Sequence, residues 1–250
     1  MASLMRTANP TLTDSTFEEV IDDHLADGAM TLDGTVHKCL GLILLTMLSA
    51  AYSWNVYGND PATGWIWMAV GMGGGLVVAL VTIWQKPWSQ FTGPLYAILE
   101  GLALGAISSS FDTQYPGIAG QAVSLTFGTL FSLLLAYKTS IIKPSENFKL
   151  GVVAATGAIF LVYLLSFLLS FFGMRPVVNE STGWLSVAIS GFIVIVAALN
   201  LVLDFDFIEQ GVAQGAPRYM EWYAAFGLLV TLVWLYVEML RLLARLADRK

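Results

Sequence analysis

Four carboxylates stand inside or at the end of long apolar runs, where ionisable side chains are rare. Glu100 lies within LYAILEGLALGAIS, Asp204 and Asp206 follow about twenty nearly uncharged residues, and Glu238 lies in the last apolar run. A charged group in a bilayer is costly and usually faces the interior of a helix bundle. The chemistry open to these groups is proton binding and transient coordination of cations.

Asp204 and Asp206 are two residues apart, so on a helix they point to nearly opposite sides. One interpretation places one acid in the bundle interior and the other toward a loop or the headgroups. The alternative places both at the water interface, where a carboxylate costs little. A buried Asp204 would couple its proton to helix packing, because an ionised carboxylate is disfavoured away from water. Ionised, Asp204 and Asp206 are the candidate ligands of Ca²⁺. A selective calcium site needs about six to eight oxygen ligands, so these two carboxylates would hold the ion only transiently.

The other two carboxylates have different surroundings. Glu100 has no cation near it in the sequence, which favours a role in the interior. Glu238 is followed by Arg241 and Arg245 on roughly the same helical face. An intrahelical ion pair near the interface is therefore as good an interpretation of Glu238 as a place on an ion pathway.

The composition bounds the class of protein. The 250 residues are 56% hydrophobic and 12% charged, whereas soluble domains average about 25% charged residues. The chain is therefore an integral membrane protein, and its lipid bilayer is its first partner. A net charge of −6 argues against nucleic-acid binding. Cys39 is the sole cysteine, and His24 and His37 precede the first apolar run, so we expect neither an enzyme nor a bound cofactor.

The elements that must position these groups are transmembrane helices, each needing about 20 apolar residues. The sequence predicts an all-α, seven-helix membrane bundle with spans at approximately 39–57, 65–84, 95–111, 118–137, 150–173, 184–203 and 223–243. The second span contains GMGGG, residues 71–75. Small residues let helices approach closely in lipid, so close packing is one interpretation of this run and a flexible gate helix is the other.

Residues 1–38 are predicted to be an acidic cytoplasmic tail and residues 39–250 the seven-helix transmembrane domain. Lysines concentrate in the loops on the amino-terminal side, which predicts a cytoplasmic amino terminus. Seven spans then put the carboxyl terminus outside, although its last residues are basic. Either these cations are tolerated outside or the seventh segment fails to cross fully.

Three long motifs resemble the Bax-inhibitor, or YccA-like, membrane proteins, in a bacterial branch with an acidic tail. They are GPLYAILEGLALGAISSSFDTQYPGIAGQA, SIIKPSENFKLGVVAATG and NLVLDFDFIEQGVAQGAPRYMEWYAAFGLLVTLVWLYVEMLRLL. The resemblance implies a bundle with the last helix near the centre. For some members it also implies a pH-sensitive calcium leak, in which an aspartate of the sixth helix shares a hydrogen bond with one of the seventh.

On this resemblance Asp204, followed four residues later by Ile208, matches the aspartate of the sixth helix. Its partner has two candidates: matching LYVE to the family motif gives Glu238, whereas aligning Arg241 with a late arginine gives Thr231. Asp206 or Glu100 could substitute for that partner.

The function expected from these features is a pH-sensitive calcium leak in the bacterial inner membrane, gated by buried carboxylates. The alternative is a non-transporting regulator that binds a membrane-bound protease or another membrane protein, for which the acidic tail would suit docking.

Overall fold

The computed structural model describes residues 28–172 and 184–249, and these form seven long helices connected by short turns. The helices are α1 (Leu32–Asn59), α2 (Pro61–Trp84), α3 (Ser89–Gln114, preceded by a 3₁₀ turn at Lys86–Trp88), α4 (Ile118–Lys138), α5 (Glu146–Ser170), α6 (Trp184–Ala213) and α7 (Met220–Ala247). Each of the seven is long and apolar enough to cross a membrane. The predicted all-α bundle of seven spans is confirmed.

The last helix occupies the centre of the bundle. α7 packs against α1, α3, α4 and α6, and it is the most buried of the spans. Its side chains supply much of the main apolar core, in which Phe226, Leu235 and Leu240 are fully buried. The expectation of a central seventh helix is confirmed.

α7 also runs the full length of the bundle. The Arg245 guanidinium near its end donates to the carbonyl oxygen of Ser186, in the first turn of α6, over 2.8 Å. Asp248 accepts a hydrogen bond from the Tyr115 hydroxyl just after α3. We refer below to the end of the bundle where α1 begins as the amino-terminal end, and α7 therefore finishes at the opposite end.

Glycines allow α1, α2 and α3 to pack with little space between their backbones. Gly101 and Gly105 of α3 lie against the backbone of α1 at Thr46 and Ala50, where any added Cβ would overlap. A Cβ on Gly71 of α2 would lie 2.5 Å from the Leu99 carbonyl oxygen of α3. The packing interpretation of the GMGGG run is confirmed for Gly71, because only glycine permits this approach.

α5 is the least buried helix and packs chiefly against α6. Three polar contacts at seven-residue intervals hold one face of it to the bundle. Lys149 pairs with Asp206 of α6 at 2.7 Å, Thr156 accepts a hydrogen bond from Asn200 of α6 at 2.8 Å, and Tyr163 donates to Glu238 of α7 at 2.9 Å. Residues seven apart lie on one side of a helix, so the three contacts form a single polar seam.

Several helices extend beyond the predicted apolar spans. α1 begins at Leu32 rather than at residue 39, because the Thr31 hydroxyl caps it by accepting a hydrogen bond from Gly34 N at 3.0 Å. α6 continues ten residues past Leu203 to Ala213. The acidic residues of the tail between positions 14 and 27, and Arg175 between α5 and α6, lie outside the described residues.

Candidate functional site

Asp204 lies inside α6, nine residues before the helix ends, and it does not mark a return to water. Its side chain is 0% exposed. The neighbouring positions Leu201, Phe205 and Ile208 are also buried, so α6 is enclosed by protein at this depth. The Cys39 thiol of α1 lies within electrostatic range of the carboxylate. Asp204 is therefore a carboxyl group in the core of the bundle, and removing or adding its proton changes a charge in that core.

Asp206 faces α5 instead. Its carboxylate is 18% exposed and pairs with Lys149 at 2.7 Å. Gln210, one turn further along α6, donates to the same oxygen at 2.5 Å. The structure thus separates the two aspartates as their spacing predicts: Asp204 serves the interior and Asp206 serves an ion pair between helices. They face different neighbours in this structure, and their role as ligands of a transient cation stays a prediction.

Glu100 is near the middle of α3 and faces α2. A Cβ built on Gly75 of α2 would lie 3.0 Å from the Glu100 Oε2 atom, so the glycine leaves the room that the carboxylate occupies. Glu100 interacts with Tyr96, one turn before it. The Tyr96 ring in turn packs edge-on against Phe226 of α7, with centroids 4.9 Å apart. Tyr96 therefore links this second carboxylate to the central helix.

Thr231 is a buried residue of α7 whose hydroxyl points back to the Gly227 carbonyl oxygen at 3.4 Å. Depth along the helices can be compared from the rise of 1.5 Å per residue. Measured from the amino-terminal end of the bundle, where α3 and α7 begin and α6 ends, Asp204 lies about 14 Å deep, and Thr231 and Glu100 about 17 Å deep. These three candidates therefore share one level of the bundle.

Glu238 lies at a different level, about 27 Å from the amino-terminal end of α7. It is 1% exposed. Its Oε1 atom accepts hydrogen bonds from Tyr163 of α5 and from Arg241, both at 2.9 Å, whereas Oε2 is buried with no hydrogen-bond partner among the described residues. Glu238 therefore belongs to a separate cluster near the opposite end, about 13 Å from the level of Asp204.

Comparison with known protein families identifies the family of this chain. The family described as Bax inhibitor 1 like matches residues 9–248, which is almost the whole chain. The chain belongs to the Bax inhibitor 1-like family. Comparisons with curated proteins and with solved structures found no match.

This Bax inhibitor 1-like protein has a cavity of about 130 Å³ between α1, α3, α4 and α7. Its lining is mostly apolar, with Leu104, Leu232 and Phe127 among the contributors. The hydroxyl groups of Ser108 and Tyr236 form a polar pair in it, 2.6 Å apart. Neither Asp204 nor Glu100 is among the lining residues. The cavity therefore lies apart from these two carboxylates.

The sequence patterns missed two charged residues that the fold buries. Lys149 lies at the start of an apolar run, a position that predicts a cation facing the lipid headgroups. In the structure it is buried against Asp206. Glu221 opens α7 and is 2% exposed, because it pairs with Lys38 of α1. The seven-residue spacing of Lys149, Thr156 and Tyr163 was a signal for the first. For Glu221, the partner is 183 positions away, and the local sequence carries no signal.

Proposed function

We propose that this protein is a proton-sensitive calcium leak pathway of the bacterial inner membrane, with its amino terminus in the cytoplasm. The observation that carries the proposal is the burial of Asp204 in the core, where its ionisation and the packing of α6 against its neighbours depend on each other. We assign no enzymatic role, and calcium would occupy the pathway only in transit.

The mechanism follows from the cost of a buried charge. A protonated Asp204 is compatible with a closed, dry core, whereas an ionised carboxylate there is strongly disfavoured unless water or a cation reaches it. Loss of the proton therefore favours a conformation in which α6 and its neighbours separate and admit water. In that conformation the Asp204 carboxylate attracts a passing divalent cation.

Glu100 and Thr231 lie at the same depth in the bundle as Asp204 and would add oxygen ligands there. Glu100 offers a second oxygen ligand from α3, and the Thr231 hydroxyl offers one from α7, where the resemblance placed a second aspartate. A hydroxyl has no charge to lose in this pH range. Proton sensitivity at this level would therefore come from Asp204 and Glu100, and not from a pair of aspartates sharing a proton.

The orientation rests on the positive charges of the amino-terminal end, which include Lys38, Lys86 and Lys138. The basic end of α7 would lie outside. Two of its arginines have partners there: Arg241 pairs with Glu238 and Arg245 donates to the Ser186 carbonyl. These contacts reduce the cost of placing positive charge on that side.

Reconstitution tests this function. Purified protein in liposomes that enclose a calcium indicator should pass Ca²⁺ faster than empty liposomes, and the rate should rise from pH 5 to pH 8. The absence of any protein-dependent flux across that range would overturn the proposal. It would favour the alternative of a regulator that binds a membrane-bound protease or another membrane protein. Capture of such a partner that depends on residues 1–27 would then be the positive result for that alternative.

A further inference from the structure

The segment that leads into α1 crosses the amino-terminal end of the bundle and pairs with the loop between α6 and α7. Ala29 and Pro217 form an antiparallel β-bridge. On either side of it, Met30 N donates to the Ala216 carbonyl oxygen at 2.6 Å, and Arg218 N donates to the Gly28 carbonyl oxygen at 3.0 Å. We call residues 28–31 the amino-terminal strap.

The side chain of Met30 closes the space beneath the strap. It is 2% exposed and packs in a cluster that includes Phe207 and Ile208 of α6 and Tyr223 of α7. Phe207 and Ile208 lie one helical turn from Asp204, on the side of the amino-terminal end. Met30 therefore fills a position between Asp204 and the solvent at that end.

A buried ion pair anchors the strap. The Glu221 carboxylate accepts hydrogen bonds from the backbone N and the hydroxyl of Thr31, each at 2.8 Å, and it also pairs with the Lys38 ammonium of α1. Gly34 makes this possible, because any Cβ at that position would overlap the carboxylate. The anchor ties the end of the strap to the first turn of α7, the central helix.

We propose that the amino-terminal strap is a plug that must leave the end of the bundle before solvent or ions can reach Asp204 from that side. The part of the proposal that concerns ion flux rests on the proposed calcium leak, whereas the covering of Asp204 can be tested without it. Because the anchor is an ion pair and the plug is apolar, release needs the loss of both sets of contacts.

A reversible crosslink tests the flux. Residues 29 and 217 face each other as a non-hydrogen-bonded pair, in which Cα atoms lie about 4.5 Å apart, within the range for a disulfide. In a Cys39→Ser background, Ala29→Cys with Pro217→Cys should trap the strap on oxidation. We expect the oxidised protein to pass Ca²⁺ at about a tenth of the rate of the reduced protein or less, and a reductant to restore the rate. Equal rates in the two forms would overturn the proposal.

Chemical labelling tests the covering by itself. In the same Cys39→Ser background, Ile208→Cys should react slowly with a membrane-impermeant maleimide, because Met30 covers it. Adding Met30→Ala should accelerate labelling by about tenfold, whereas adding Met72→Ala, which removes an exposed methionine of α2, should not. A labelling rate that ignores Met30→Ala would overturn the strap. If even wild-type protein passes no Ca²⁺, the proposed function fails and the labelling rates alone decide this proposal.

Discussion

The contact between α2 and α3 makes a sharp prediction about two glycines of the same run. Gly71 faces α3, and its added Cβ would lie 2.5 Å from the Leu99 carbonyl oxygen and 2.6 Å from the Ala103 nitrogen. Gly73 has nothing within 4 Å of that position. Alanine at 71 must therefore push backbone apart, whereas alanine at 73 meets open space.

The expected difference can be worked from these distances. An ordinary Cβ contact is 3.4 Å or longer, so Gly71→Ala requires α2 and α3 to separate by about 0.9 Å. Overpacking of this kind costs about 1–3 kcal/mol. Replacing glycine by alanine within a helix gains up to about 1 kcal/mol, and both variants share that gain. Gly71→Ala should therefore be less stable than Gly73→Ala by about 1–3 kcal/mol.

The assay is reversible unfolding of the purified variants by SDS in mixed micelles, followed by circular dichroism. Gly73→Ala should unfold at an equal or higher SDS fraction than the wild type, and Gly71→Ala at a lower one. Equal stability of the two variants would refute the reasoning, because it would mean that α2 and α3 do not depend on backbone contact at Gly71.

Three further predictions concern the seam, the far carboxylate and a helix cap. A double-mutant cycle of Asn200→Ala with Thr156→Val should give a coupling energy of about 0.6–1.7 kcal/mol by the same unfolding assay, and zero coupling would exclude their hydrogen bond. Glu238→Gln should leave the pH midpoint of calcium flux unchanged, because its cluster lies away from the level of Asp204; a shifted midpoint would contradict that separation. The Thr63 hydroxyl hydrogen-bonds to Asp60 at the start of α2 and lowers the pKa of Asp60. The ionised Asp60 carboxylate therefore stabilises the fold at pH values above its ordinary pKa, and this contribution is lost as the pH falls through the lowered pKa. Thr63→Val should therefore raise the pKa of Asp60 in a carbon-13 NMR titration, and an unchanged value would exclude that hydrogen bond.

Much of the fold could be predicted because a helix that crosses a bilayer needs a long apolar run, and such a run is visible in the local sequence. Long apolar runs gave the number and order of the helices, and turn residues gave their separation. Helix ends were predicted less well, since they depend on capping and on partners far away in the chain. α6 continues past Leu203 because each of its acidic residues has a suitable environment: Asp204 is buried in the core, Asp206 pairs with Lys149, and the exposed Glu209 accepts a hydrogen bond from the Tyr137 hydroxyl.

The candidate site was also predictable only in part: local helix geometry could be predicted, and partners from distant helices could not. The two-residue spacing of Asp204 and Asp206 predicted that they face different sides, which follows from helix geometry alone. The partners of these side chains did not follow, because Lys149 comes from another helix. Glu238 illustrates the limit: its local motif suits either a pathway residue or an ion pair with Arg241, and only the depth of α7 relative to α6 separates it from Asp204.

The most direct measurement of the central claim compares Asp204→Asn with Asp60→Asn in calcium-flux assays from pH 5 to pH 8. Both substitutions replace a carboxylate by an amide, but Asp60 is exposed at the start of α2, where asparagine caps a helix equally well. Asp60→Asn should keep the wild-type rise of flux with pH, and Asp204→Asn should stay at the low flux of the closed state throughout. A wild-type pH response in Asp204→Asn would contradict the account.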